Sequence, residues 1–301
     1  MANDVPTFAT PPGFLGLGPG AGTAAITIAG IPLDIGTTNR SGARFGPQAI
    51  RQASRMLVDG DHPTWRIDPR DLGLTDIGDF RIALGDIAHS LQLIEAQAAG
   101  IDHLVALGGE HGITLALLRA LARRHGPLAL VHLDAHVDTW PENFGQAYAH
   151  GAVFHHAIEE KLAEPSRMIQ IGIRSPVERA VVDWTLRRGV TIVTAEQVHL
   201  QGPQAIAERI RAVVGDAPCY LSFDVDALDP AFAPGTGTPE IGGLASWQAQ
   251  SIMRRLEGLR FVGMDAVEVA PAHDVAEITA LAAATMVYEY LALCAVARLR
   301  K

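Results

Sequence analysis

Two stretches of this 301-residue chain place ligand-type side chains at a spacing that can do chemistry. They are His132-Leu133-Asp134-Ala135-His136-Val137-Asp138 and Ser222-Phe223-Asp224-Val225-Asp226-Ala227-Leu228-Asp229-Pro230. Each follows an apolar run that reads as a buried strand, Leu128–Leu133 and Tyr220–Phe223. In extended chain the residues i, i+2 and i+4 point the same way. Asp134, His136 and Asp138 can therefore converge on one point, and Asp224 with Asp226 on another. Carboxylates packed against apolar strands are costly unless a cation compensates them. A single Asp-x-Asp after a strand is often a helix cap or a turn. Two such clusters, one containing His, with a third donor in Gly108-Gly109-Glu110-His111, point instead to a binuclear metal site.

The candidate ligands are His111, Asp134, His136, Asp138, Asp224 and Asp226. Four carboxylates and two imidazoles, with no thiolate, suit two Mn2+ ions better than a structural zinc. Ligand type alone leaves Ni2+, Co2+ and Fe2+ open. Two divalent ions close together can share one water and lower its pKa toward neutrality. The chemistry expected is metal-assisted hydrolysis at an electrophilic carbon or phosphorus.

The elements that must position these groups alternate along the chain. Strands are expected at Ala24–Ala29, Leu104–Leu107, Leu128–Leu133, Met168–Ile173, Val190–Val193, Cys219–Phe223 and Phe261–Met264. Helices are expected at Pro47–Leu57, Asp86–Ala99, Ile113–Arg124, Val177–Arg188, Pro203–Val214 and Ser246–Leu256, with an apolar C-terminal helix at Ile278–Ala297. Such alternation predicts an α/β fold, a parallel sheet covered by helices on both faces. No compositional break divides the chain, so residues 1–301 read as one domain, with 1–22 an extended N-terminal segment. Ligands of such sheets bind at the carboxyl ends of the strands. Both Asp clusters, His111 and Glu268 fall at such ends.

Composition narrows the class. A formal charge of −9 argues against nucleic acid as a partner, because phosphate binding needs a basic face. Two cysteines are too few for a disulfide scaffold and suit a reduced, cytoplasmic setting. Met1–Thr10 lacks a signal-peptide profile, no run approaches the length of a membrane span, and the C-terminal helix, which contains Glu289 and Tyr290, reads as a packed core helix.

The motifs Gly108–His111, Asp134–Asp138 and Ser222–Pro230 resemble the three signatures of the ureohydrolase (arginase/agmatinase) family. The likeness extends to Gly30-Ile31-Pro32-Leu33-Asp34, to the loop Arg40–Pro47, to Phe232–Pro239 and to Val267-Glu268-Val269-Ala270-Pro271. It implies a three-layer α/β/α fold around an eight-stranded, mostly parallel sheet, two manganese ions, a small guanidino substrate and a homotrimer or homohexamer. By position, His111, Asp134, Asp138 and Asp224 would hold one ion, and Asp134, His136, Asp224 and Asp226 the other. Glu268 would receive the guanidinium, and His150 would deliver a proton to the departing amine. Glu110 stands where Asp is commoner and is expected to orient His111.

Substrate choice rests on the distal end of the cleft. Between Asp134 and Glu160 the chain has no Lys or Arg, and Glu142 sits in the loop before His150. Both features favour agmatine, hydrolysed to putrescine and urea, as does the likeness of Ile278–Thr285 to bacterial agmatinases. The loop Thr37–Arg44 is similar to that of guanidinobutyrases and guanidinopropionases, and Arg40 or Arg44 could meet a carboxylate. A catalytically silent homologue would have lost a ligand or the shuttle histidine; none is lost. His132 is read as a packed core residue, and Asp34 as support for the Arg40–Pro47 loop.

Overall fold

The computed structural model describes residues 12–18 and 24–299. Residues 1–11 and 19–22 of the N-terminal segment lie outside them. Within 12–18, Phe14 and Leu15 are buried, and their amides donate to Asp76 Oδ2 and Ser54 Oγ.

Eight strands of the described residues form one sheet: β1 (Ile26–Ile31), β2 (Leu74–Asp79), β3 (Leu104–Gly108), β4 (Leu128–Leu133), β5 (Ala163–Ile173), β6 (Thr191–Thr194), β7 (Cys219–Asp224) and β8 (Phe261–Val267). Their spatial order is β2-β1-β3-β8-β7-β4-β5-β6, and every pairing is parallel. Among the described residues eight α-helices join them: α1 (Gly46–Ser54), α2 (Ile87–Ala98), α3 (Ile113–His125), α4 (Val153–Glu159), α5 (Arg179–Arg187), α6 (Ala195–Val214), α7 (Ser246–Arg254) and α8 (Ile278–Leu299).

The central strands are apolar on both faces, as a sheet covered on both sides requires. Ala129, Val131 and Leu133 of β4 pack into one hydrophobic cluster with residues of α1, α6, α7 and α8. Leu128 and Leu130 pack into a second with residues of α2, α3 and α4. Alternation along each strand thus feeds two separate helical layers. The expected three-layer α/β/α architecture is present.

The differences from the expected elements have local causes. Strand β2 is not among the expected strands; its sequence Leu-Thr-Asp-Ile-Gly-Asp carries weak β-formers, and it is an edge strand with three exposed residues at its end. α6 begins eight residues before Pro203, where Thr194 caps its amide end, and its helical path is broken at Gly202. α1 gives way to a 3-10 turn at Arg55–Leu57. Asp86 caps α2 by accepting from the His89 amide, as its position suggests. α8 is 22 residues long and holds an 18-residue window with a mean hydropathy of 1.7, so it is long and apolar enough to cross a membrane, contrary to expectation. Yet 72% of its apolar window is buried inside the molecule, so the helix serves as a core element.

Candidate metal centre

β3, β8, β7 and β4 are adjacent at the middle of the sheet. Chain order departs from spatial order here, because β7 and β8 sit between β3 and β4. A crevice opens at the carboxyl ends of such strands, and each of the four delivers polar groups to it. β3 leads through Gly108-Gly109 to His111. A Cβ on Gly109 would lie 2.3 Å from Ile31 O, so only glycine lets this turn pack against β1.

His111 Nδ1 lies 3.1 Å from Asp134 Oδ2, 3.0 Å from Asp138 Oδ2 and 3.3 Å from Asp224 Oδ2. His136 Nδ1 lies 3.2 Å from Asp134 Oδ1 and 3.1 Å from Asp226 Oδ2. The two oxygens of Asp134 therefore face two different imidazoles, the arrangement a bridging carboxylate needs. Asp224 Oδ1 accepts from the Asp226 amide while its Oδ2 faces His111. All six candidate ligands meet in two abutting clusters. All but His136 are buried.

The His111 tautomer is fixed from behind. Its Nε2–H donates to Ser222 Oγ at 2.8 Å, and Ser222 donates onward to Asp265 Oδ1 at 2.7 Å. Asp265 Oδ2 also accepts from Thr114 and Tyr220. Among the described residues Nδ1 is a buried nitrogen without a hydrogen-bond partner, set among three carboxylate oxygens. That is the state of an imidazole ready to ligate.

The electrostatics ask for positive charge. Burial, together with repulsion from Asp226 and Asp134, drives the Asp224 carboxyl well above the carboxylate range. Burial and Asp134 likewise raise Asp226. Burial disfavours the His136 imidazolium, yet Asp226 and Asp134 push it up to about 12. Four aspartates carry −4, which two divalent ions balance with two neutral imidazoles as co-ligands. The residues fit such a pair.

Beside this centre, Glu268 Oε1 accepts from the His111 amide at 2.8 Å and from His150 Nδ1–H at 2.9 Å. Among the described residues its Oε2 is buried without a partner, and the residue holds φ +66°, a conformation non-glycine residues adopt at some cost. A cleft of about 340 Å³ opens over the centre. It is lined by His136, Asp138, Asp224, His150, Thr38, Thr238 and, toward its mouth, Trp140, Glu142 and Glu178. Glu178 accepts from the Trp140 indole N–H at 2.8 Å.

Two residues, Glu110 and Arg40, sit differently from expectation. Glu110 does not orient His111: its Oε2 accepts from the Gly36 amide and Thr37 hydroxyl, so the side chain turns toward that loop and away from the ring. Ser222 and Asp265 orient the ring instead. His132 is in the core as expected, but it also contacts Asp134 Oδ2 through Nε2 at 2.7 Å, which supports the bridging carboxylate from behind. Arg40 is exposed and is not among the residues lining the cleft. Arg44 pairs with Asp34, whose carboxylate also accepts from the Gly42 amide, so Asp34 holds the loop as expected.

Comparison with known proteins places the chain. Residues 24–292 match the profile of the Arginase family. An agmatinase of Cronobacter sakazakii is 45% identical over 270 residues, 88% of this chain and 85% of that protein. The structure of proclavaminate amidino hydrolase from Streptomyces clavuligerus superposes with a TM-score of 0.92 at 39% identity, covering 97% of this chain and 100% of the other. That of a hypothetical agmatinase from Burkholderia thailandensis gives 0.92 at 40% identity, covering 98% and 94%. The crossover order of the sheet, the paired aspartate clusters and these likenesses agree: the chain belongs to the arginase family.

Proposed function

We propose that this protein is a manganese-dependent ureohydrolase that converts agmatine and water to putrescine and urea. The observation that carries the reading is Asp134, whose two oxygens face the nitrogens of two different imidazoles, His111 and His136. His111, Asp134, Asp138 and Asp224 would hold one ion, and Asp134, His136, Asp224 and Asp226 the second. When bound, the ions supply Lewis acidity that makes a water nucleophilic near neutrality.

The chain's own residues do the rest. Glu268 offers Oε2 to the guanidinium, a planar fork that a carboxylate grips well. Oxygen adds to the guanidinium carbon, the bond from carbon to the alkylated nitrogen breaks, and that nitrogen takes a proton to leave as the amine. His150, in contact with Glu268, is placed to give that proton. Burial disfavours its imidazolium, but in the metal-free protein the charges of Glu268, Asp138 and Glu110 lift it to about 9.

Agmatine is favoured by the cleft mouth. Glu142 and Glu178 line it, and no Lys or Arg stands among its described lining residues. A distal ammonium is attracted there, and the Trp140 indole offers a surface for a cation; a distal carboxylate is repelled. The curated relatives named agmatinase support the same reading. Urea release from agmatine, guanidinobutyrate, guanidinopropionate and arginine, measured on manganese-loaded protein, tests it. Agmatine should be turned over with the highest kcat/KM. A guanidino acid ahead of agmatine would replace the substrate, and no urea from any of them would remove the activity.

A further inference from the structure

His150 has partners for both of its protonation states, and beyond Glu268 one residue supplies them. Its Nε2 lies 2.8 Å from Thr38 Oγ1 and 3.2 Å from the Thr38 amide nitrogen. A backbone N–H only donates, so it suits a bare Nε2. A hydroxyl donates to a bare nitrogen or accepts from a protonated one, so it suits either. A group that gains and loses a proton at every turnover needs a neighbour that penalises neither state.

We propose that Thr38 is a positioning residue for proton delivery: its hydroxyl accepts from the Nε2–H of the His150 imidazolium and turns to donate to the bare Nε2 once the proton has gone to the leaving amine. The ring thereby keeps its Nδ1–H on Glu268 through both halves of the cycle. Thr38 and His150 both line the cleft, so the departing amine meets the Nε2 proton there. The inference rests on the ureohydrolase reading and on His150 as proton donor.

The position of Thr38 is itself built. Glu110 Oε2 accepts from the Gly36 amide at 2.7 Å and the Thr37 hydroxyl at 3.1 Å. Asn39 donates to Gly237 O, and the His150 amide donates to Gly36 O. A Cβ on Gly36 would lie 2.8 Å from Glu110 Oε1, so glycine is needed for the loop to come this close. Glu110, buried and turned away from the His111 ring, thus ties down the segment that presents Thr38. The charged groups facing His150 are Glu268 beyond β8, Asp138 beyond β4 and Glu110 beyond β3. All three favour the imidazolium, and the Thr38 amide is the counterweight that favours its release.

The test uses manganese-loaded enzyme with agmatine and the variants Thr38→Val, Thr38→Ala and Thr38→Ser. Loss of the hydroxyl removes a partner of both states and leaves the Thr38 amide, which favours the bare nitrogen alone, so the pKa of His150 falls. Thr38→Val and Thr38→Ala should cut kcat by about tenfold with KM within about twofold, and move the alkaline limb of kcat to lower pH by about one unit. Thr38→Ser should keep kcat within about twofold of wild type. Wild-type kcat and pH profile in Thr38→Val would overturn the inference, as would a Thr38→Ser enzyme as impaired as Thr38→Val. His150→Asn at wild-type kcat would instead remove the donor role beneath it, and an inert wild type the ureohydrolase reading itself.

Discussion

What makes His111 a ligand is its tautomer, and two residues away from the centre set it. Asp265 accepts from Ser222, so Ser222 must accept from His111 Nε2–H, and Nδ1 is the nitrogen left to face the carboxylates. Ser222→Ala should weaken metal binding by about 10–100-fold, read by calorimetric titration of the metal-free protein; unchanged affinity would show that the ring is held by packing alone. Asp134→Asn removes one of the four compensating charges and one of the two bridging oxygens. It should reduce urea release by at least about a hundredfold and lower metal content, both measured on purified protein. The ligands themselves were legible, because the i, i+2, i+4 spacing after apolar strands is a statement about direction. Ser222 and Asp265 were not, since a buried serine and a mid-strand aspartate become partners only when β7 pairs with β8 in register. Glu110 departs from expectation for a related reason: adjacency to His111 says nothing of where a longer side chain turns.

Individual elements carry the site through a few anchors. Arg174, just past β5, donates from Nη2 to the carbonyl oxygens of Asp226 and Glu240, each at 2.7 Å, and from Nη1 to Gly172 O at 3.0 Å. One rigid guanidinium thereby ties the segment carrying Asp226 to the one carrying Glu240, and a lysine presents too few directed donors to do the same. Arg174→Lys should lower unfolding stability by about 1–3 kcal/mol in a denaturant titration and weaken metal binding; an unchanged midpoint would contradict this anchoring. The strong strands β3, β4 and β7 and the capped helix α2 were legible because apolar runs and caps act locally. The edge strand β2 was not, because pairing with β1, rather than its own residues, makes it a strand. The early start of α6 was hidden by the Gly202-Pro203 break, which reads as a helix start when no contact is known.

At the scale of the whole molecule, the parallel sheet brings four strand ends together and thereby gathers more negative charge than the bare protein tolerates. In metal-free protein this makes stability depend on pH in a definite direction. Neighbouring carboxylates raise His111, His136 to about 12 and His150 to about 9, against burial in each case. A pKa raised on folding stabilises the folded state fully below the unfolded histidine value of about 6.5, and that stability is lost as pH rises through the folded value. The melting temperature of metal-free protein should therefore fall between about pH 6.5 and 9. Metal-loaded protein should show the opposite slope, because protons compete with the ions for the same donors. A metal-free melting temperature that rises across this window would place the charge elsewhere. Chelation should abolish urea release and lower the melting temperature, with recovery on adding Mn2+. The acidity of the chain is expressed locally in the cleft mouth, where Glu142 and Glu178 stand. The central claim is a pair of ions shared by Asp134, and crystals of manganese-loaded protein with anomalous scattering at the manganese edge test it most directly. Two peaks about 3.5–4 Å apart, one by His111 Nδ1 and one by His136 Nδ1 with Asp134 between them, are expected. A single peak, or none, in protein that still releases urea from agmatine would contradict the account.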